Sequence, residues 1–145
     1  MKKLGLIISK NLFPGAKILL YGELGTGKTT LVSFIINGLS HQKINVTSPT
    51  FSLIKVYDFD PVVYHVDLYR LTEPYEIEYL DIFSDPKGIY LVEWANLLDY
   101  LLPENRLDIY ISYDIDYNFR NIEIDAKGND YKKIEDNIKI LFYEV

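Results

Sequence analysis

The sequence has no cysteine, which excludes disulfides, thiolate metal centres and thiol nucleophiles. His41 and His65 are its only histidines, too few for a structural zinc site. Arginine is confined to Arg70, Arg106 and Arg120, and the net charge is −6 with a sequence pI near 4.9. Nonspecific nucleic-acid affinity comes mainly from Lys and Arg displacing counterions. An acidic chain opposes that attraction, so any nucleic acid in its work is expected to be held by a partner. Long apolar runs are missing as well. None approaches the roughly 20 residues of a membrane span, and residues 1–12 offer only a short, interrupted apolar stretch beside Lys2 and Lys3. The expectation is a cytoplasmic protein.

What is present suits one domain with one core, as is usual at 145 residues. Hydrophobic residues make up 48% of the chain, with 13 Tyr and 7 Phe, enough to build a sheet flanked by helices. Residues 17–21 (KILLY) follow a Pro14-Gly15 turn and read as a buried strand. A glycine-rich stretch comes next, then a helix carrying Leu31, Val32, Phe34, Ile35, Ile36 and Leu39. Residues 51–57 and 62–66 flank Asp58-Phe59-Asp60-Pro61 and read as a hairpin. Thr72-Glu73-Pro74 reads as a helix start with Thr72 as the cap. Residues 89–92 read as a strand, 94–101 as a helix stopped by Pro103, 107–113 as a strand and 120–126 as an edge strand. Ile134, Ile138, Leu141 and Phe142 share one face of a closing amphipathic helix.

Gly22-Glu23-Leu24-Gly25-Thr26-Gly27-Lys28-Thr29 fits G-x-x-x-x-G-K-[ST] at every fixed position, between the expected strand and helix. Glycines let such a loop wrap so that backbone N–H groups point at phosphates, and the helix aims its positive end at the same spot. Lys28 is placed to neutralise β and γ phosphates. The Thr29 hydroxyl, with Thr30 behind it, suits Mg²⁺, which prefers oxygen donors. The pattern implies a magnesium-complexed nucleoside triphosphate, ATP first, and a single α/β, P-loop NTPase-like domain with a mixed parallel and antiparallel sheet between helices.

Hydrolysis also needs acids. Asp67 ends one apolar run and Glu93 another, and in open sheets acids at strand ends face the crevice where phosphates bind. The plainer reading of either acid is a cap on the following loop. His65 reads as a satisfied strand residue rather than a catalytic base. Arg70 reads first as an ion-pair partner for an acid and second as a phosphate contact.

Beyond the loop, Ser48-Pro49-Thr50-Phe51, the run His65-Val66-Asp67-Leu68-Tyr69-Arg70, and Val92-Glu93-Trp94 follow in an order and spacing that resemble the TsaE family. These are P-loop ATPases of bacterial tRNA threonylcarbamoyladenosine (t6A) formation. The resemblance runs from Leu4 to about Ala126. It implies that residues 48–51 act as a switch near the γ-phosphate, with Thr50 the phosphate or metal contact and Ser48 a helper. It implies that Asp67 and Glu93 serve the magnesium and the attacking water, with Glu93 placed on the metal side and Asp67 nearer the reacting phosphate. Trp94 packs beside the site, and Arg120 falls where the family carries a basic residue near the nucleotide base; its plainer reading is a surface arginine on an edge strand. The implied partners are the TsaD and TsaB subunits, with tRNA reached only through them.

Two other classes compete. A small-molecule kinase usually clamps the transferring group with several basic residues, and no arginine-rich lid is visible. A GTPase would carry an N-K-x-D segment, which does not occur, and Asp85-Pro86-Lys87-Gly88 precedes its strand where a D-x-x-G switch follows one. A nucleotide-sensing module without turnover is the remaining alternative.

Overall fold

The computed structural model describes residues 1–49, 52–117 and 119–143. In chain order the elements are α1 (Lys2–Asn11), β1 (Lys17–Tyr21), α2 (Lys28–Ser40), β2 (Ile54–Tyr57), β3 (Val63–Asp67), α3 (Pro74–Leu80), β4 (Ile89–Glu93), a 3₁₀ segment (Ala95–Leu101), β5 (Arg106–Tyr113), β6 (Arg120–Lys127) and α4 (Asn129–Tyr143). The strands form one sheet in the order β2-β3-β4-β1-β5-β6. The inner pairs β3·β4, β4·β1 and β1·β5 are parallel, while β2·β3 and β5·β6 are antiparallel. A parallel strand is covered on both faces and must be apolar on both, which is why the middle of KILLY (Ile18, Leu19, Leu20) is fully buried.

The single α/β domain has two apolar layers. On one face Ile18, Leu20, Val63, Leu91 and Ile109 meet α1, α2 and α4. On the other, Leu19, Val66, Tyr90 and Val92 meet α3 and the 3₁₀ segment through Ile77, Ala95 and Leu98. The sheet is mixed as expected, the hairpin forms, and β6 lies at an edge. In α4, Ile134 and Ile138 are buried, while the side chains of Leu141 and Phe142 lie outside the described residues.

Three local expectations are corrected. Residues 2–11 form a helix that the interrupted apolar pattern did not suggest. Leu4, Ile7 and Ile8, spaced i, i+3, i+4, are buried against the core, and each such side chain contributes on the order of 1.5–3 kcal/mol. Gly5 makes the contact with α2 possible: a Cβ there would stand 2.4 Å from the Phe34 Cβ. The cap of α3 is Glu73, not Thr72. Its side chain accepts from the backbone of Glu76, and the Glu76 carboxylate accepts from the Glu73 N–H at 3.1 Å and the Thr72 hydroxyl at 3.0 Å. Pro74 at the first helical position holds its predecessor extended, so the cap falls on Glu73. Residues 95–101 are a 3₁₀ segment with non-helical backbone at Asp99, entered through Trp94 at φ 60°.

Candidate nucleotide-binding site

The loop leaves the end of the central strand and enters α2 at Lys28. Gly27 caps that helix with φ 110° and supplies no side chain to occupy the first-turn N–H groups, so these remain directed at whatever enters the loop. Thr26 closes the loop internally, its hydroxyl donating to the Glu23 carbonyl at 2.9 Å. A cavity of about 460 Å³ opens above, within the range of small-ligand sites. Leu24, Gly25, Gly27, Lys28, Thr29 and Thr30 line it, whereas Gly22, Glu23 and Thr26 do not and act by shaping the loop.

Lys28 is only 5% exposed. Its ammonium donates to the carbonyls of Gly22 at 2.6 Å and Glu23 at 2.8 Å, and it lies 4.3 Å from the centre of the Trp94 ring. Burial pushes this amine below the usual lysine range, while the carboxylates of Glu93, Asp67 and Glu23 pull the other way. Trp94 is therefore a cation–π partner of the loop lysine as well as a packing residue.

The two acids are brought together by strand pairing. Asp67 and Glu93 are register partners in the parallel pair β3·β4. Side chains alternate along a strand, so His65, Asp67, Leu91 and Glu93 share the face that carries Val63 and Ile89, the face covered by α2. Glu93 is 2% exposed. The Thr29 hydroxyl lies 2.8 and 3.0 Å from its two oxygens, and His65 Nε2 lies 2.6 Å from Oε2. Asp67 accepts the Tyr69 N–H at 3.0 Å on one oxygen and the Ser48 hydroxyl on the other. It thus caps the following loop and faces the cavity at once. Thr50, expected to be a phosphate or metal contact, lies outside the described residues, as does Phe51.

Arg70 and Arg120 both line the cavity. Arg120 reaches it from β6, with its guanidinium 5.6 Å from the Tyr113 ring and Nε 3.5 Å from where a Cβ on Gly27 would stand. The Tyr113 hydroxyl donates to the Gly25 carbonyl at 2.5 Å, pinning the loop to β5. Sequence reasoning gave no role to Tyr113, because nothing local marks a tyrosine 88 residues away as a loop contact. It also missed the contact between His65 and Glu93, for which the only signal was a shared strand face with Asp67.

The donor set fits a magnesium ion. Among the described residues no three His, Asp or Glu side chains converge, and Mg²⁺ needs no such cage. It keeps several waters and takes one or two protein oxygens beside those of a phosphate. The Thr29 hydroxyl and the Glu93 carboxylate are such oxygens, placed at the base of a glycine-cleared cradle.

A glycine-rich loop between the central strand and its helix, faced by two acids from the ends of neighbouring parallel strands, defines a P-loop NTPase-like protein. The family model described as "Threonylcarbamoyl adenosine biosynthesis protein TsaE" matches residues 1–122, and the chain belongs to the TsaE family of tRNA threonylcarbamoyladenosine biosynthesis proteins. It is 40% identical over 120 residues to the TsaE of Haemophilus influenzae, covering 81% of this chain and 74% of that protein. Against the Bacillus subtilis TsaE the identity is 42% over 123 residues, 83% of this chain and 76% of the relative. The crystal structure of Bacillus subtilis YdiB superposes with a TM-score of 0.75 at 34% identity, covering 95% of this chain and 86% of that one. No helix among the described residues is long and apolar enough to cross a membrane.

Proposed function

We propose that this chain is the ATP-binding and ATP-hydrolysing component of the cytoplasmic machinery that makes t6A in tRNA, working with TsaD and TsaB. The observation that carries the reading is the meeting of Thr29 and Glu93 beside Lys28 at the base of the loop. Family membership supports the pathway. The loop amides and the α2 N-terminus bind the phosphates. Lys28, resting on two loop carbonyls, exchanges them for β and γ phosphate oxygens, which are stronger acceptors because they are charged. A magnesium ion bound there supplies charge neutralisation on the phosphate oxygens. Thr29 and Glu93 hold it. Asp67, steadied by Ser48 and the Tyr69 amide, orients water toward the γ-phosphate, and Arg120 approaches the base side of the cavity.

In this reading hydrolysis serves the modifying complex and does not itself alter RNA. Turnover by the isolated chain is slow, and TsaD with TsaB and bound tRNA complete the site around Ser48. A stabilising group supplied by a partner raises phosphoryl-transfer rates by about 10³ to 10⁵. The acidic surface suits a basic partner face and disfavours capture of free RNA. Steady-state ATPase activity of the chain alone, with TsaD and TsaB, and with both plus tRNA tests this, beside an RNA-binding assay on the chain alone. Rising turnover across the series supports it. Fast turnover in isolation, or tight RNA binding without partners, overturns the division of labour, and no turnover in any mixture leaves the chain a nucleotide sensor.

A further inference from the structure

His65 is fully buried, 0% exposed, in the middle of β3. An imidazole is costly in an apolar layer unless its nitrogens are partnered, and here Nδ1 has no hydrogen-bond partner among the described residues. Packing alone does not explain it, since a leucine or valine would fill the strand position with no polar atom to desolvate. Among the described residues its one side-chain polar contact is Nε2 to Glu93 Oε2, at 2.6 Å. A carboxylate that serves as a metal ligand only accepts hydrogen bonds, so in that role Glu93 takes the donor from Nε2. Glu93 is thereby held from two sides, by His65 from the sheet and by Thr29 from the first turn of α2.

We propose that His65 is a positioning residue for the magnesium site: it fixes the Glu93 carboxylate in the orientation that presents an oxygen beside the Thr29 hydroxyl. The proposal rests on the assignment of Glu93 and Thr29 to magnesium made above. A glutamate has three rotatable side-chain bonds, and without a second hydrogen bond its carboxylate samples orientations that do not meet the metal. Outer hydrogen-bond partners of metal ligands typically change metal affinity or activity by about 10 to 100-fold when removed. His65 does not line the cavity, so its loss acts on metal-dependent binding and leaves metal-free binding to Lys28 and the loop.

The test compares His65→Gln with His65→Asn. The glutamine amide nitrogen reaches the place of Nε2 and restores the donor, whereas the asparagine nitrogen stops near the place of Nδ1. ADP binding is measured by calorimetry with and without Mg²⁺, and the Mg²⁺ concentration giving half of the metal-dependent gain is read for each protein. Thermal melts report folding. The expectation is that the asparagine variant binds ADP without metal within about threefold of the parent and needs roughly tenfold or more additional Mg²⁺. The glutamine variant should stay within about threefold of the parent in both. Equal Mg²⁺ midpoints for parent and asparagine variant overturn the proposal. So does an equal rise in both variants, because a restored donor would then bring no rescue, and so does metal-free binding that falls as far as metal-dependent binding. A parent whose ADP affinity is indifferent to Mg²⁺ overturns the functional reading itself, and the inference with it, so the two failures are told apart by the parent alone.

Discussion

Thr29 and Glu93 stand 64 residues apart in sequence, yet the threonine hydroxyl lies within 3.0 Å of both oxygens of the buried carboxylate. One group opens the helix after the central strand and the other closes the neighbouring strand. Thr29→Ala removes the hydroxyl and, on the proposed reading of Thr29 as a magnesium ligand, should weaken the magnesium dependence of nucleotide binding by about tenfold or more. Metal-free binding should hardly change. Overlapping magnesium titrations for variant and parent would count against the role.

Lys28→Ala should reduce ATP affinity by roughly 10 to 100-fold, the range expected when a charged hydrogen-bond donor worth about 1.5–3 kcal/mol is lost. The substitution also removes a buried amine whose present partners are the Gly22 and Glu23 carbonyls. Those carbonyls belong to the loop and to neither apolar layer, so the fold should persist. Calorimetry on the folded variant decides the matter; unchanged affinity would sink the loop assignment.

Asp67→Asn and Glu93→Gln each remove a charge and keep the shape. Both variants should bind ATP within an order of magnitude of the parent and lose hydrolysis by roughly 10²-fold or more. Retained turnover in both would reduce the acids to the capping role that the Tyr69 amide already gives Asp67.

A fourth expectation concerns stability. The Tyr21 hydroxyl donates to buried Asp108 at 3.0 Å, where Arg106 also binds, and burial followed by the Asp108 charge pushes the phenol well above its ordinary value near 10. The folded state therefore holds this proton when the unfolded chain has released it. That contribution is complete below about pH 10 and is lost as pH climbs toward the folded value. Tyr21→Phe should cost about 1 kcal/mol at neutral pH through the missing hydrogen bond, and should flatten the alkaline fall in stability by the slope of one proton. Denaturant midpoints measured from pH 8 to 11 would show whether the two curves converge; parallel curves would contradict it.

The parts of the fold that sequence made legible are those whose cause is local. KILLY, the glycine loop, the hairpin around Asp58-Phe59-Asp60-Pro61 and the stripe containing Ile134 and Ile138 carry their reason in adjacent residues. The first helix does not, because Gly5 interrupts its apolar stripe and makes sense only against Phe34 of α2. The cap of α3 hinged on how Pro74 restrains its neighbour, which moved the role from Thr72 to Glu73. In the site, the loop and both acids were legible from motif and position. The contacts of His65 with Glu93 and of Tyr113 with Gly25 were not, since each depends on which strands lie side by side, β3 with β4 and β5 with β1.

The pairing of Asp67 opposite Glu93 makes the site sensitive to parity. Along β3, successive residues point to opposite faces, so inserting or deleting one residue between Val63 and Asp67 would turn the carboxylate toward the Tyr90 and Val92 layer and bring an apolar side chain into its place. A change of two residues preserves the facing and alters only the distance along the strand. Length variation in this segment is therefore counted in pairs: odd changes exchange the chemistry of the cavity for that of the core, whatever residues are used to make them.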